Sequence, residues 1–169
     1  RWADEAFGWG LFRIPEAELG VLGDVAGLEV AELGCGTAYL SAHLVRAGAR
    51  PVALGLSHHQ LVTALACQER VGVRFPVVEA DGEVLPLADD SVDLVVSEYG
   101  VAPWCDPVRW LPEAARILRP GGRLVFLTNS VLAALCVPDE GGYAGIKLLR
   151  SQPDAAQVAW PGGGAEHHP

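Results

Sequence analysis

The chain has no methionine and a single lysine, Lys147, in 169 residues. A translated polypeptide begins with methionine, so Arg1 in first place predicts a processed product, a fragment or a sequence that omits residues. Basic residues are scarce: 12 Lys and Arg stand against 21 Asp and Glu, a net charge of −9. Holding a nucleic-acid backbone takes clustered Lys and Arg, so no nucleic-acid partner is expected. The four cysteines, Cys35, Cys67, Cys105 and Cys136, include no C-x-x-C pair. That argues against a disulfide framework or a metal site and for a reduced, cytoplasmic chain. No apolar run approaches the ~20 residues of a membrane span, so no membrane partner is expected. No signal-peptide pattern opens the chain. None of this fixes an oligomeric state.

What is present centres on Glu29 to Ala38, Glu-Val-Ala-Glu-Leu-Gly-Cys-Gly-Thr-Ala. Leu28, Val30, Ala31 and Leu33 form the short apolar run of a buried parallel strand. Gly34 and Gly36 break it, and a helical pattern follows from Tyr39 through Val45 to Gly48. Strand, glycine turn and helix open a nucleotide-binding βαβ unit. The turn brings backbone close to a ligand, and the helix start offers unpaired N–H groups. A dinucleotide fingerprint, Gly-x-Gly-x-x-Gly, would need its third glycine where Tyr39 stands.

Glu32, Gly34 and Gly36 instead fit Glu/Asp-x-Gly-x-Gly-x-Gly, with Ala38 in place of the last glycine. This resembles the first motif of class I S-adenosylmethionine-dependent methyltransferases. A longer run strengthens the likeness. Residues 79–97, Glu-Ala-Asp-Gly-Glu-Val-Leu-Pro-Leu-Ala-Asp-Asp-Ser-Val-Asp-Leu-Val-Val-Ser, are similar to Asp-Ala-Glu-x-Leu-Pro-Phe-x-x-x-Ser-Phe-Asp-x-Val of small-molecule enzymes of the methyltransferase-11 type. Leu118-Arg-Pro-Gly-Gly122 followed by Arg123 to Thr128 resembles the family's helix end and fifth strand. The likeness covers roughly residues 28–128.

It implies a cofactor, S-adenosylmethionine, with S-adenosylhomocysteine as product, and a small-molecule methyl acceptor. By resemblance the cofactor would meet Glu32, Gly34, Cys35 and Gly36 at the first turn, and Gly55, Leu56 and Ser57 after the second strand. Asp81 would accept from the adenine amino group, which suits a group that only accepts hydrogen bonds. Gly82 and Glu83 would lie beside the ring. Ser97, Glu98 and Tyr99, at the end of the fourth strand, would face the reacting methyl group, because ligands of open α/β sheets sit at the strands' carboxyl ends. Glu98 is the candidate base, or else caps its loop. Trp104 either packs or binds. One position departs from the family: the acid that holds the ribose hydroxyls aligns with Gly55. Water, His58 or Gln60 are the substitutes at hand. His58 and His59, about 100° apart on a helix, make a poor metal pair, so no metal is expected.

The predicted fold is α/β: a Rossmann-like three-layer α/β/α domain with a mostly parallel sheet in the order 3-2-1-4-5. The strands fall at 51–56, 73–79, 92–97 and 123–128 besides the first, with Pro76 marking an edge. Helices are expected at 58–70 with Ser57 as N-cap, at 107–118, and weakly at 131–137 and 143–150. Residues 1–27 read as an aromatic-rich helical segment that packs on the core or lids it. Residues 28–150 read as the cofactor-binding core, and 151–169 as loop or linker. The family's closing β-hairpin is not found. Two other classes stay open: an enzyme of another nucleotide such as NAD, and a relative that binds the cofactor weakly without catalysis.

Overall fold

The computed structural model describes residues 1–4, 6–140 and 142–151, with 157–159 and 165–167 as backbone strands only. In chain order the elements are β1 Gly8–Trp9, β2 Ile14–Pro15, α1 Glu16–Leu19, β3 Glu29–Leu33, α2 Tyr39–Arg46, β4 Arg50–Gly55 and α3 His58–Val71. Then come β5 Val77–Glu79, β6 Val92–Glu98, α4 Pro107–Ile117, β7 Leu118–Leu127, α5 Val131–Cys136, β8 Gln157–Ala159 and β9 Ala165–His167. Five strands form one sheet in the order β5-β4-β3-β6-β7. Every pair in it is parallel. Counted along the sheet this is the expected 3-2-1-4-5, with the Pro76 strand at the edge.

Strand alternation sorts the core onto the two faces. Val30, Leu94 and Val96 pack with Leu40 and Leu44 of α2 and with Phe7 and Trp9. Ala31, Leu33 and Val95 point the other way, onto Trp110, Ala114 and Ile117 of α4. α3 lies with α2, setting Leu61 and Ala64 against Ala38, Ala42 and Ala53. Burial on both faces explains why these strands read as continuous apolar runs.

Four expectations are corrected. The amino-terminal residues do not form the expected helices. β1 and β2 pair antiparallel, and only Glu16–Leu19 is helical. Phe7 and Trp9 both bury, a two-residue period that suits a strand. The third sheet strand starts at Val77, after Pro76, rather than at residue 73. The last strand starts at Leu118, which pairs with Val92, before the Pro-Gly-Gly read as its beginning. Residues 143–150 are not helical; Gly145 and Leu149 donate backbone hydrogen bonds to Cys136 and Leu135. The loop expected at 151–169 falls mostly outside the described residues. Within it β8 and β9 pair antiparallel in a sheet of their own and do not extend the large one.

Candidate functional site

β3 ends at Leu33, and the chain must leave it sharply to enter α2. Gly34 makes the turn at φ 67°. A Cβ there would come within 2.6 Å of the Gly100 backbone, so the β3 and β6 loops touch through their glycines. Gly36, at φ 54°, has open space above it, its imagined Cβ meeting nothing nearer than Gln60 at 3.9 Å. Ala38 stands where the motif has its third glycine and adopts the same left-handed region at φ 57°.

A cleft of about 490 Å³ opens above this turn, at the carboxyl ends of β3, β4 and β6. Of the residues expected from sequence, Gly34, Gly36, Gly55, Leu56, Ser57, Asp81 and Gly82 line it. So do Tyr99 and Trp104. Leu33, Leu54, Ala80 and Leu85 form part of the wall, and so do Gln60 and Leu61 of α3 and Gly100, Val101 and Cys105. The last three carry no local signal, because the 99–105 loop reaches the cleft only by folding back over β6. One trace of it exists in sequence: a Cβ on Gly82 would lie 2.5 Å from Val101, so glycine is what lets the loop close there.

The other expected residues lie beneath or beside the cleft. Glu32 is buried in β3, and its carboxylate accepts from the Ser41 amide at 2.9 Å and from the Ser41 hydroxyl. Burial pushes its carboxyl up to about 7, against those hydrogen bonds and with a smaller push from Glu98. Cys35 is buried beside Gly55, its thiol pushed up by burial and by Glu32. The Ser97 hydroxyl donates to the Leu33 carbonyl at 2.9 Å and accepts from the Val101 amide at 3.1 Å, bracing the loop. Glu83 accepts from the Asp106 amide at 2.8 Å and pairs with Arg109. Glu98 turns away from the cleft: it accepts from the Gly10 amide at 2.7 Å and pairs with Arg1 at 3.3 Å, tying the amino-terminal segment to β6.

Asp81 has two tasks. One oxygen accepts from the Glu83 amide at 2.9 Å and shapes the turn, while the exposed carboxylate also lines the cleft. Tyr99 follows β6 at φ 50°, a strained conformation for a bulky residue. Among the described residues no histidine, lysine or arginine lines the cleft. Burial, with Glu83 and Asp81, pushes the Cys105 thiol up to about 11, so it stays protonated near neutral pH. The cleft thus holds no activated nucleophile. It suits a reaction whose electrophile arrives already activated.

Among the described residues no three His, Cys, Asp or Glu side chains gather to hold a metal ion, and no helix is long and apolar enough to cross a membrane. His58 Nδ1 lies 2.8 Å from Glu79 instead.

The chain matches the family described as "Methyltransferase domain" over residues 31–126. It is 42% identical over 104 residues to a malonyl-[acyl-carrier protein] O-methyltransferase of Pectobacterium atrosepticum, covering 61% of this chain and 39% of that one. It is 35% identical over 132 residues to a demethylmenaquinone methyltransferase of Corynebacterium efficiens, covering 78% of this chain and 54% of that one. A solved S-adenosylmethionine-dependent methyltransferase from Mesorhizobium loti superimposes with a TM-score of 0.63 at 30% identity, over 76% of this chain and 57% of that one. The chain therefore spans between about two fifths and three fifths of the length of these relatives.

Proposed function

The chain belongs to the methyltransferase domain family, and from that membership we propose that it moves a methyl group from S-adenosylmethionine to a small-molecule nucleophile. The observation that carries the reading is the cleft itself: a glycine turn at one end, the exposed Asp81 carboxylate at the other, and no activated nucleophile among the described residues between them. The bound cofactor supplies a methyl group made electrophilic by its sulfonium.

The chain's part is to hold and align. The Gly34–Gly36 turn would receive the amino-acid end of the cofactor, the open space above Gly36 leaving room for it. Asp81 would accept from the adenine amino group, with Leu56, Gly82 and Val101 around the ring. Tyr99 and Gly100 would wall the transfer region. Alignment and exclusion of water lower such a barrier by several kcal/mol, so no dedicated base is required. Glu32, Cys35, Glu83, Ser97 and Glu98 would act as supports, since their polar groups are engaged or buried away from the cleft. Residues 28–150 would form the cofactor-binding core, with 1–27 as a strap across it.

The acceptor is a small molecule or an acyl group held on a carrier protein, as the relatives' names suggest. Four free cysteines support a reducing, cytoplasmic setting, and the net charge of −9 supports no nucleic-acid partner.

Titration calorimetry with S-adenosylmethionine, S-adenosylhomocysteine and NAD tests the reading. Binding of the first two and not of NAD is expected; the reverse, or no binding at all, overturns it. Asp81→Asn is the sharper probe. It keeps one oxygen for the Glu83 amide but turns a donor toward the adenine amino group. It should weaken S-adenosylhomocysteine by about 1–3 kcal/mol, the cost of a buried group left unpaired.

A further inference from the structure

We propose that Gln60, seconded by Ser57, holds the cofactor's ribose in this chain, replacing the carboxylate that β4 lacks; this rests on the cofactor reading above. β4 ends at Gly55, which lines the cleft and offers no side chain to a diol. The carboxylate level with it across the sheet is Glu79, its register partner. Glu79 is drawn off to His58 at 2.8 Å, and neither residue lines the cleft.

Gln60 does line it. Its carboxamide reaches from the first turn of α3 over the glycine turn, its Oε1 and Nε2 lying 3.9 and 4.0 Å from where a Gly36 Cβ would stand. That places an amide beside Gly36, on the wall of the cleft that Gly55 also lines. The carboxamide has no hydrogen-bond partner among the described residues. The Ser57 hydroxyl, also on the cleft wall, makes no capping bond to its own helix. Ser57 stands just before α3 and Gln60 in its first turn, and both line the cleft. Both are free, and both border the position that lacks its acid.

The chemistry matches a vicinal diol. A carboxamide offers an acceptor and two donors, and a serine hydroxyl offers one donor and accepts in turn. A diol can use both at once. The arrangement is neutral, so it forgoes the charge-assisted bonds of a carboxylate, which are roughly twice as strong. The ribose subsite of this chain is therefore built from helix α3 rather than from the end of β4, and recognises hydroxyl groups without charge.

Calorimetry on the full chain tests this with two ligands, S-adenosylhomocysteine and its 2′,3′-dideoxy analogue. Gln60→Ala sits on an exposed helical position, where alanine is the best helix former, so the variant should fold. It should bind S-adenosylhomocysteine about fivefold more weakly than the parent chain, the worth of one ordinary hydrogen bond. It should bind the dideoxy analogue with unchanged affinity. In a Gly55→Asp background the same substitution should cost less than about twofold, because the restored carboxylate takes the hydroxyls. Equal losses on both ligands would place Gln60 on another part of the cofactor and overturn the proposal. So would unchanged affinity for S-adenosylhomocysteine, while leaving the cofactor reading intact. Failure of the parent chain to bind S-adenosylhomocysteine at millimolar concentration would sink both.

Discussion

Single residues set the limits of the glycine turn, and two of them respond differently to the same change. Gly34 and Gly36 both occupy the left-handed region, where a side chain costs about 1–2 kcal/mol. Gly34 also touches the Gly100 backbone, whereas Gly36 faces open space. Gly34→Ala should therefore destabilise the fold by about 2–5 kcal/mol, strain and overpacking together. Gly36→Ala should cost only about 1–2 kcal/mol. Urea unfolding of the two variants decides it; equal losses would show that the β3 and β6 loops are not in contact. Beneath the turn, Glu32 gives the molecule a pH response. Its carboxyl is held at about 7 against an ordinary 4.5, chiefly by burial. The fold favours the protonated form, and the unfolded chain releases that proton more readily. The contribution to stability is thus complete below about pH 4.5 and is lost as the pH rises through about 7. Glu32→Gln should remove this part of the slope of melting temperature against pH between 5 and 8. A variant whose slope matches the parent's would remove Glu32 as its source.

Among the elements, α4 organises the loop that follows β5. Arg116, near its end, donates to the Leu87 carbonyl at 2.8 Å and the Leu85 carbonyl at 3.1 Å, and pairs with Asp89 and Glu113. Glu113 in turn accepts from the Leu85 amide at 2.9 Å and is held down to about 2, chiefly by Arg116. Arg116→Ala should lower the melting temperature, because the Leu85 and Leu87 carbonyls and the Glu113 and Asp89 carboxylates lose their shared donor. Lysine, lacking the forked guanidinium, should recover little of it. Calorimetric melting of the three forms measures both statements. This element was legible as a helix, but its grip on residues 85–89 was not. The same division runs through the molecule. Strand order and the glycine turn follow from local signals: apolar runs of strand length, glycine punctuation, and Pro76 at an edge. Side-chain destinations do not. Ser97 and Glu98 are neighbours at the end of one strand, yet one braces a loop and the other ties down Gly10. Those contacts are set by segments far away in sequence, and period-counting carries no information about them. The amino-terminal segment departs from the expected helices because Phe7 and Trp9 bury at a two-residue spacing, which suits a strand.

At the scale of the whole molecule, the sheet ends on one side in β7, whose hydrogen-bonded neighbour among the described residues is β6 alone. Its first six residues are blunted by Arg119, Pro120 and Arg123, but Leu124 to Leu127 carry no charge, and Phe126 is 42% exposed. An unpaired row of N–H and C=O groups on such a strand is a template for a second copy. What holds copies apart is long-range repulsion between molecules of net charge −9. Salt shortens that repulsion to about 10 Å at 0.1 M and about 3 Å at 1 M. Colloidal stability should therefore decline as sodium chloride is raised, with light-scattering radii growing while the secondary structure stays intact. The protein should keep best in dilute buffer, where charge guards at a distance a strand that no other described strand pairs.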